Sequence, residues 1–246
     1  VLADYKNYLL SKIKCRKKKI VLDCGNGMAG MVVKELFESA GFDVTMLFEK
    51  LDGTFPNRDS EPTDESLAKL KKAVIGKDFG IAFDGDGDRM IFVDNRGKVA
   101  TPEQIAYILL SHLLEKGNSI VANVECSRII DTIAEKFSAS LYRIQVGHPY
   151  IVKEAARRKA CLGIETSGHY VLPDLFPFDD AIGISLYAAA LLSNNRHQYD
   201  NFSTDVTEKF DIGIQYSTDG CQVKLQKIKL RLFIPFPKCQ PVILKS

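Results

Sequence analysis

The 246-residue chain contains no tryptophan, only four histidines and six widely spaced cysteines, and it has no long hydrophobic run. No two cysteines form a C-x-x-C pair, which excludes the usual zinc-ribbon and thioredoxin-like spacings. The longest nearly apolar segment, residues 181–192, is about a dozen residues long. A membrane-spanning helix needs about 20 such residues. Its first residues do not show the charged-then-apolar pattern of a leader, so we expect none.

Neither sign of charge dominates the composition. The 33 Lys and Arg residues nearly balance 31 Asp and Glu residues, so the formal net charge of +2 gives no electrostatic case for a nucleic-acid binder. With 46% hydrophobic and 26% charged residues, the composition is that of a globular protein and excludes disorder, collagen and disulfide scaffolds. We therefore expect a soluble cytoplasmic protein without a nucleic-acid or membrane partner, whose cysteines are mostly small buried hydrophobes.

Short apolar segments alternate with longer segments of helical periodicity through most of the chain. Strands are predicted at residues 19–24, 42–48, 79–83, 90–94, 98–100, 119–123, 141–145 and 161–164. Helices are predicted at residues 4–13, 31–40, 65–74, 103–115, 129–137, 151–159 and 180–192. Such alternation is typical of βαβ units around mostly parallel sheets.

The predicted elements fall into two α/β units and a different tail. We predict an α/β fold with two tandem α/β domains, at residues 1–117 and 118–193, whose sheets are mixed and largely parallel. Residues 194–246 are predicted to be a linker and a short β-rich C-terminal segment, a partial or degenerate domain. The prediction of β structure there depends on the absence of helical periodicity after residue 210.

An acidic turn directly follows the predicted strand 79–83. Asp84, Asp86 and Asp88 alternate with two glycines and precede Arg89. Glycines let such a turn fold so that three carboxylates converge on one hard cation, which would neutralise their mutual repulsion. An EF-hand loop would need Gly where Arg89 stands and an acidic residue where Asn95 stands. The pattern therefore favours Mg²⁺ over Ca²⁺.

A glycine-rich turn follows the first predicted strand and allows two interpretations. Gly25, Gly27 and Gly30 match the G-x-G-x-x-G dinucleotide fingerprint, and Glu49 ends the next strand about 20 residues on, as that motif requires. The polar Asp23 and the residue Cys24 immediately precede the first glycine, however, and the interpretation leaves the acidic turn unexplained. The same glycines would serve equally well for close packing of strand against helix.

Two loops of the second unit carry side chains suited to binding. His148 comes just past a predicted strand, where α/β sheets keep their ligands, and could contact phosphate, act as a general acid or base, or be structural. Glu165, Thr166, Ser167 and His169 place a carboxylate, two hydroxyls and an imidazole on one turn. That set suits the vicinal hydroxyls of a sugar.

Five motifs occur in a fixed order along about residues 5–193. They are VLDCGNG at 21–27, FPN at 55–57, GIAFDGDGDR at 80–89, VGH at 146–148 and GIETSGH at 163–169. Together they resemble the α-D-phosphohexomutase family, which includes phosphoglucomutases, phosphomannomutases and phosphoglucosamine mutases. Members of that family have four domains, and this chain is similar to the second and third.

The resemblance implies a metal site and two cofactors, Mg²⁺ and a hexose 1,6-bisphosphate. Asp84, Asp86 and Asp88 would be Mg²⁺ ligands, and Arg89 would neutralise phosphate beside the ion. A hexose 1,6-bisphosphate would serve as the intermediate or activator of the family reaction, which shifts a phosphate between the 1- and 6-positions of a hexose. On this interpretation the glycine-rich turn is structural.

The resemblance also implies how a hexose phosphate would be held. Glu165 and Ser167 would bind sugar hydroxyls, with His169 buttressing the loop, and His148 would lie near the reacting phosphate. Thr166 is the variable residue of this loop and does not separate glucose, mannose and glucosamine phosphates.

Two family motifs have no counterpart in the chain. The phosphorylated Thr-x-Ser-His-Asn-Pro loop of the family's first domain is missing, since the one Ser-His pair, at 111–112, lies in a predicted helix. The R-P-S-x-T-E-P loop of the fourth domain should fall near residues 234–241, where Lys238 replaces the phosphate-clamping Arg, Ser and Thr.

We therefore expect a phosphohexomutase chain that is incomplete and by itself inactive, because positioning cannot replace a missing nucleophile. One alternative is a non-catalytic sugar-phosphate-binding or regulatory protein. The other is a nucleotide-binding oxidoreductase, which would depend on the glycine-rich turn.

Overall fold

Two four-stranded sheets organise the part of the chain that the computed structural model describes, residues 1–13 and 15–194. The predicted C-terminal segment, the stretch 234–241, and the cysteines at 221 and 239 lie outside these described residues. Among the described helices, none combines the length and apolar character needed to cross a membrane.

The first sheet has the strand order β2-β1-β3-β4. Its strands are β1 (Lys19–Asp23), β2 (Asp43–Leu47), β3 (Phe79–Phe83) and β4 (Met90–Asp94). β1 pairs in parallel with β2 and β3, and β4 is antiparallel to β3. The helices of this half are α1 (Leu2–Lys12), a short 3-10 helix (Met28–Met31), α2 (Val33–Ser39) and α3 (Ala68–Ala73).

The second sheet repeats this topology with the order β6-β5-β7-β8. Its strands are β5 (Ser119–Asn123), β6 (Ser140–Ile144), β7 (Leu162–Ile164) and β8 (Tyr170–Val171), and again only the last pair is antiparallel. The accompanying helices are α4 (Pro102–Leu113), α5 (Ile129–Phe137), α6 (His148–Arg158) and α7 (Ala181–Asn194). The predicted fold class, two α/β units with mixed, largely parallel sheets, is confirmed for the described residues.

Each sheet has its own apolar core between its strands and its helices. In the first, every residue of β3 is buried, and the core cluster contains Val21, Leu67, Leu70, Val74, Ala82 and Val93. In the second, the cluster contains Val121, Ile151, Ala155, Ala160 and Val171. Each fully buried aliphatic side chain contributes about 1.5–3 kcal/mol, so these clusters position the sheets and the loops at their ends.

Helix α4 links the two halves of the described chain. It precedes residue 117 but packs against α5, α7 and β7 of the second sheet. The Tyr170 hydroxyl donates to the Pro102 carbonyl oxygen over 2.9 Å, and the Ser127 amide donates to Glu103 Oε1 over 2.9 Å. The predicted domain division at residue 117 stays a prediction.

Several predicted elements differ from the structure in their bounds or type. α6 begins at His148 rather than at residue 151, because Pro149 is suited to the first turn of a helix. Residues 98–100 do not form a strand, and only an isolated bridge joins Val99 to Val93. The helix predicted at 31–40 is shorter in the structure, where α2 covers Val33–Ser39, and the 3-10 helix Met28–Met31 precedes it within the glycine-rich turn. Strand β8, with two residues, is too short to produce a periodic pattern.

The four described cysteines are free thiols. Cys24 and Cys126 are buried as predicted, whereas Cys15 and Cys161 are partly exposed. Burial raises the pKa of the Cys24 and Cys126 thiols to about 12, so neither has the thiolate character of a reactive cysteine.

Candidate functional site

The acidic loop (residues 84–89) and the 165–169 loop lie side by side, although they follow strands of different sheets. Arg89 and His169 form an antiparallel main-chain bridge, and the Met90 amide donates to the Gly168 carbonyl oxygen over 3.3 Å. Main-chain bonds therefore join the two loops for which the sequence predicted chemistry.

The acidic loop folds around the carboxylate of Asp84, which is only 1% exposed. Asp84 Oδ1 accepts from the amides of Gly87 and Arg89, at 3.0 and 3.1 Å, and Oδ2 accepts from Arg89 Nε at 2.7 Å. Burial works against the charge on Asp84, but these bonds from Arg89 outweigh it and hold the pKa of Asp84 below its ordinary value.

Three carboxylates converge at this loop, as the sequence predicted. Asp84, Asp86 and Asp88 each offer one oxygen, and these oxygens all lie within 4.8 Å of one another. Burial, contact with Asp84 and repulsion from Asp86 raise the pKa of Asp88 to about 6, although His169 opposes the shift. A concentrated set of oxygen donors with excess negative charge fits a hard divalent cation such as Mg²⁺.

Arg89 lies at the edge of this carboxylate group. Besides its bond to Asp84, it places Nη1 2.8 Å from Glu61 Oε1, and its side chain stays 23% exposed. Glu61 belongs to the long loop between β2 and α3 and was not predicted as a site residue. The guanidinium is thus both anchored and accessible, which an anion-binding role requires.

The two site histidines meet at Asp179, which the sequence analysis did not assign to the site. His148 Nδ1 lies 2.8 Å from Asp179 Oδ2, and His169 Nδ1 lies 3.1 Å from the same oxygen. The two rings stack with centroids 5.0 Å apart. Burial opposes the imidazolium form of His169, but Asp179 and Asp88 outweigh it and raise the pKa of His169.

Glu165 and Ser167 take different positions on the 165–169 loop. Glu165 is buried, and its Oε1 accepts from the Gly147 amide at 3.0 Å and from Asn123 Nδ2 at 3.4 Å. Ser167 is exposed, whereas Thr166 Oγ1 donates to Glu125 Oε2 over 3.3 Å. The loop therefore combines a fixed carboxylate with an accessible hydroxyl.

The three glycines of the first turn serve close packing. A side chain at Gly25 would overlap the guanidinium of Arg58, and a Cβ at Gly27 would lie 2.6 Å from the Gly85 carbonyl oxygen. A Cβ at Gly30 would overlap another main-chain oxygen. Of the three glycines, Gly27 is the one that packs directly against the acidic loop.

Arg58 forms a buried ion pair beneath the acidic loop that the sequence analysis did not identify. Its Nε lies 3.0 Å from Asp23 Oδ1, and its Nη2 donates to the Phe83 carbonyl oxygen over 2.5 Å. Asp23 and Phe83 are the last residues of β1 and β3, so Arg58 joins the ends of two adjacent strands. Burial raises the pKa of Asp23 in spite of Arg58.

Comparisons with known proteins agree on one family. The family model for phosphoglucomutase/phosphomannomutase α/β/α domain II matches residues 2–97, and the model for domain III matches residues 101–210. The phosphomannomutase/phosphoglucomutase of Pseudomonas syringae pv. tomato is 34% identical over 224 residues, which are 88% of this chain and 46% of that protein.

Solved structures share the fold. The phosphoglucomutase/phosphomannomutase family protein of Burkholderia thailandensis superposes with a TM-score of 0.77 and 28% identity, covering 88% of this chain and 48% of that one. N-acetylphosphoglucosamine mutase of Aspergillus fumigatus, in complex with GlcNAc-6P and magnesium, has a TM-score of 0.57, 15% identity and a coverage of 82% and 48%. The chain spans about half the length of the relatives that it matches.

Proposed function

The chain belongs to the phosphoglucomutase/phosphomannomutase family, whose members are intramolecular phosphotransferases, and we propose that it supplies the metal- and sugar-binding part of a phosphohexomutase. The reaction would interconvert hexose 1-phosphate and hexose 6-phosphate with Mg²⁺, through a hexose 1,6-bisphosphate. The observation that carries the proposal is the main-chain bridge between Arg89 and His169. It joins the loop of three converging carboxylates to a loop suited to sugar hydroxyls.

Asp84, Asp86 and Asp88 are the proposed Mg²⁺ ligands. The ion would supply positive charge to the oxygens of the transferring phosphoryl group. Arg89, anchored by Asp84 and Glu61, would bind a phosphate oxygen beside this site. Its fixed position supports the proposal, because a donor that is already oriented needs no rearrangement when charge develops.

Glu165, Ser167, His169 and His148 are the proposed contacts to the hexose phosphate. The bonds from Asn123 and Gly147 fix the carboxylate of Glu165, so that it can accept from sugar hydroxyls without losing side-chain entropy. Ser167 is exposed and would reach the ligand. His148 is half exposed and would lie at the phosphate end of the ligand.

We do not propose that this chain alone supplies the phosphoryl donor. Its 246 residues contain no Thr-x-Ser-His-Asn-Pro segment. The chain is therefore expected to bind Mg²⁺, and a hexose phosphate weakly, without turnover. Turnover at a full mutase rate by this polypeptide alone, with glucose 1,6-bisphosphate added, would contradict the expectation.

Calorimetric titration with Mg²⁺ tests the metal part of the proposal. Asp86 is the exposed member of the three carboxylates, so Asp86→Asn removes one ligand charge without disturbing the core. We expect binding at least about tenfold weaker in that variant. Asp43→Asn is the matched control, because Asp43 is also exposed but starts β2 at the opposite end of the sheet. Equal Mg²⁺ affinity in Asp86→Asn and the wild type would overturn the assignment.

Titration with hexose phosphates at saturating Mg²⁺ tests the sugar part. Glucose, mannose and glucosamine 1-phosphates are compared, and Ser167→Ala is expected to weaken whichever ligand binds best. Ser11→Ala provides the control, since Ser11 is an exposed hydroxyl on α1 that donates to the Tyr8 carbonyl oxygen of the same helix. If the Ser167 and Ser11 variants bound the sugar equally well, Ser167 would have no contact with it.

A further inference from the structure

Four side chains beside the acidic loop form what we call the histidine cluster: His148, His169, Asp179 and Asp88. Each offers one donor atom, and these atoms all lie within 4.8 Å of one another. Two imidazole nitrogens and two carboxylate oxygens are the donor set that borderline transition-metal ions prefer in proteins. By contrast, the Asp84, Asp86 and Asp88 group offers only oxygen.

The spacing of the donors fits a tetrahedral ion. With bonds of about 2.0–2.1 Å to zinc, neighbouring ligand atoms in a tetrahedron lie about 3.3–3.4 Å apart. In the cluster, His148 Nδ1 and His169 Nδ1 lie 2.8 and 3.1 Å from Asp179 Oδ2, and His169 Nδ1 lies 3.6 Å from Asp88 Oδ2. Shifts of about half an ångström would therefore bring these three spacings to those of a zinc site.

His169 Nδ1 provides an independent indication. This buried atom makes no hydrogen bond of acceptable geometry, although two carboxylate oxygens lie within 3.6 Å of it. Buried polar atoms are seldom left without a partner. A metal ion between the imidazole and the carboxylates would use the nitrogen lone pair and both negative charges.

The backbone holds this arrangement in place. His169 is bridged to Arg89, and Asp179 is bridged to Val171, the last residue of β8. His148 is the first residue of α6, so its ring is carried by a regular element. Donors on such supports lose little freedom on binding an ion, which favours affinity.

We propose that the histidine cluster binds a transition-metal ion of the Zn²⁺ type, at a site that adjoins the proposed Mg²⁺ site, shares Asp88 with it and includes two of the proposed hexose-phosphate contacts, His148 and His169. Ion binding by the cluster does not depend on the proposed mutase activity. One consequence does: because Asp88 belongs to both donor sets, Zn²⁺ in the cluster competes for a carboxylate of the acidic loop and weakens the binding of Mg²⁺ there.

Cobalt(II) is the probe, because four-coordinate Co²⁺ has visible absorption bands and Zn²⁺ displaces it. The full chain is titrated with Co²⁺ in excess Mg²⁺, and one equivalent is expected to give visible bands that Zn²⁺ removes. His148→Ala and Asp179→Asn are expected to weaken binding at least tenfold. His112→Ala is the matched control, since His112 lies on α4 and contacts the Ile108 carbonyl oxygen.

Each other outcome overturns the proposal. Weakening by Asp86→Asn but not by His148→Ala would place the cobalt in the acidic loop instead. A thiolate-to-cobalt band in the near ultraviolet would assign the ion to cysteine. Absence of visible bands in a wild-type chain whose circular dichroism shows it to be folded would mean that the cluster binds no such ion. The Asp86 and His148 variants separate this proposal from that of the Mg²⁺ site.

Discussion

Replacing Arg58 by methionine leaves the carboxylate of Asp23 buried without its partner. In the folded chain the Arg58 and Asp23 side chains are 2% and 1% exposed, and their ion pair spans 3.0 Å. Methionine keeps most of the side-chain volume, so the change removes charge and hydrogen bonds rather than packing. The Phe83 carbonyl oxygen, at the end of β3, also loses a donor.

The expected cost is large because the pair is buried. Removing one partner of a buried ion pair costs about 3–5 kcal/mol, and the total stability of a domain is about 5–15 kcal/mol. Burial already raises the pKa of Asp23, and losing Arg58 raises it further. A carboxyl with a raised pKa takes up a proton on folding, so the loss of stability should shrink as the pH falls from 8 toward 5.

Urea unfolding followed by far-ultraviolet circular dichroism measures this cost. Arg157→Met is the control, because Arg157 makes a comparable carboxylate pair with Glu154 on the surface, and its loss should leave the unfolding midpoint unchanged. Adding Asp23→Asn to Arg58→Met should recover part of the stability by removing the unpaired charge. If Arg58→Met cost no more than the control at pH 8, the buried pair would not stabilise the strand ends.

Two further predictions follow from local geometry and from burial. Gly168 has φ +97°, and a Cβ there would lie 3.1 Å from the Met90 carbonyl oxygen, so Gly168→Ala should lower the free energy of unfolding by about 1–3 kcal/mol, as measured by thermal unfolding. Gly53→Ala is the control, because nothing lies within 4 Å of a Cβ at Gly53 and its effect should be near zero. Equal effects of the two substitutions would refute the reasoning. Iodoacetamide at pH 8 should leave Cys24 and Cys126 unmodified in peptide maps of the folded chain, because burial raises the pKa of each thiol to about 12; labelling of either before unfolding would contradict it.

Sequence patterns predicted well those elements whose signal is local. The strands Phe79–Phe83 and Ser119–Asn123 and the helix Ile129–Phe137 have the predicted bounds, because each is a continuous apolar or amphipathic segment ended by polar or turn residues. The convergence of three carboxylates was predictable for the same reason, since a tight turn brings alternate residues together.

The rest of the candidate site depends on contacts between distant segments. Asp179 lies 31 positions from His148 along the chain, and Arg58 lies 35 positions from Asp23. Neither pair produces a recognisable periodicity or spacing in the sequence. The partners come together only when the loops that follow separate strands meet in the folded chain. His148 was placed in a loop, since the helix signal begins clearly only after Pro149.

The bridge between Arg89 and His169 is made by backbone atoms, so it does not depend on which side chains those positions carry. The bridge also makes the acidic loop and the 165–169 loop move together. A hinge motion that separated the two loops would first have to break the main-chain bridge. The two family matches meet between residues 97 and 101. A chimera that exchanges one segment with a relative at this crossover should therefore keep the two loops in the same relative position. Side-chain specificity could then be changed on one loop while the spacing between the loops stays the same.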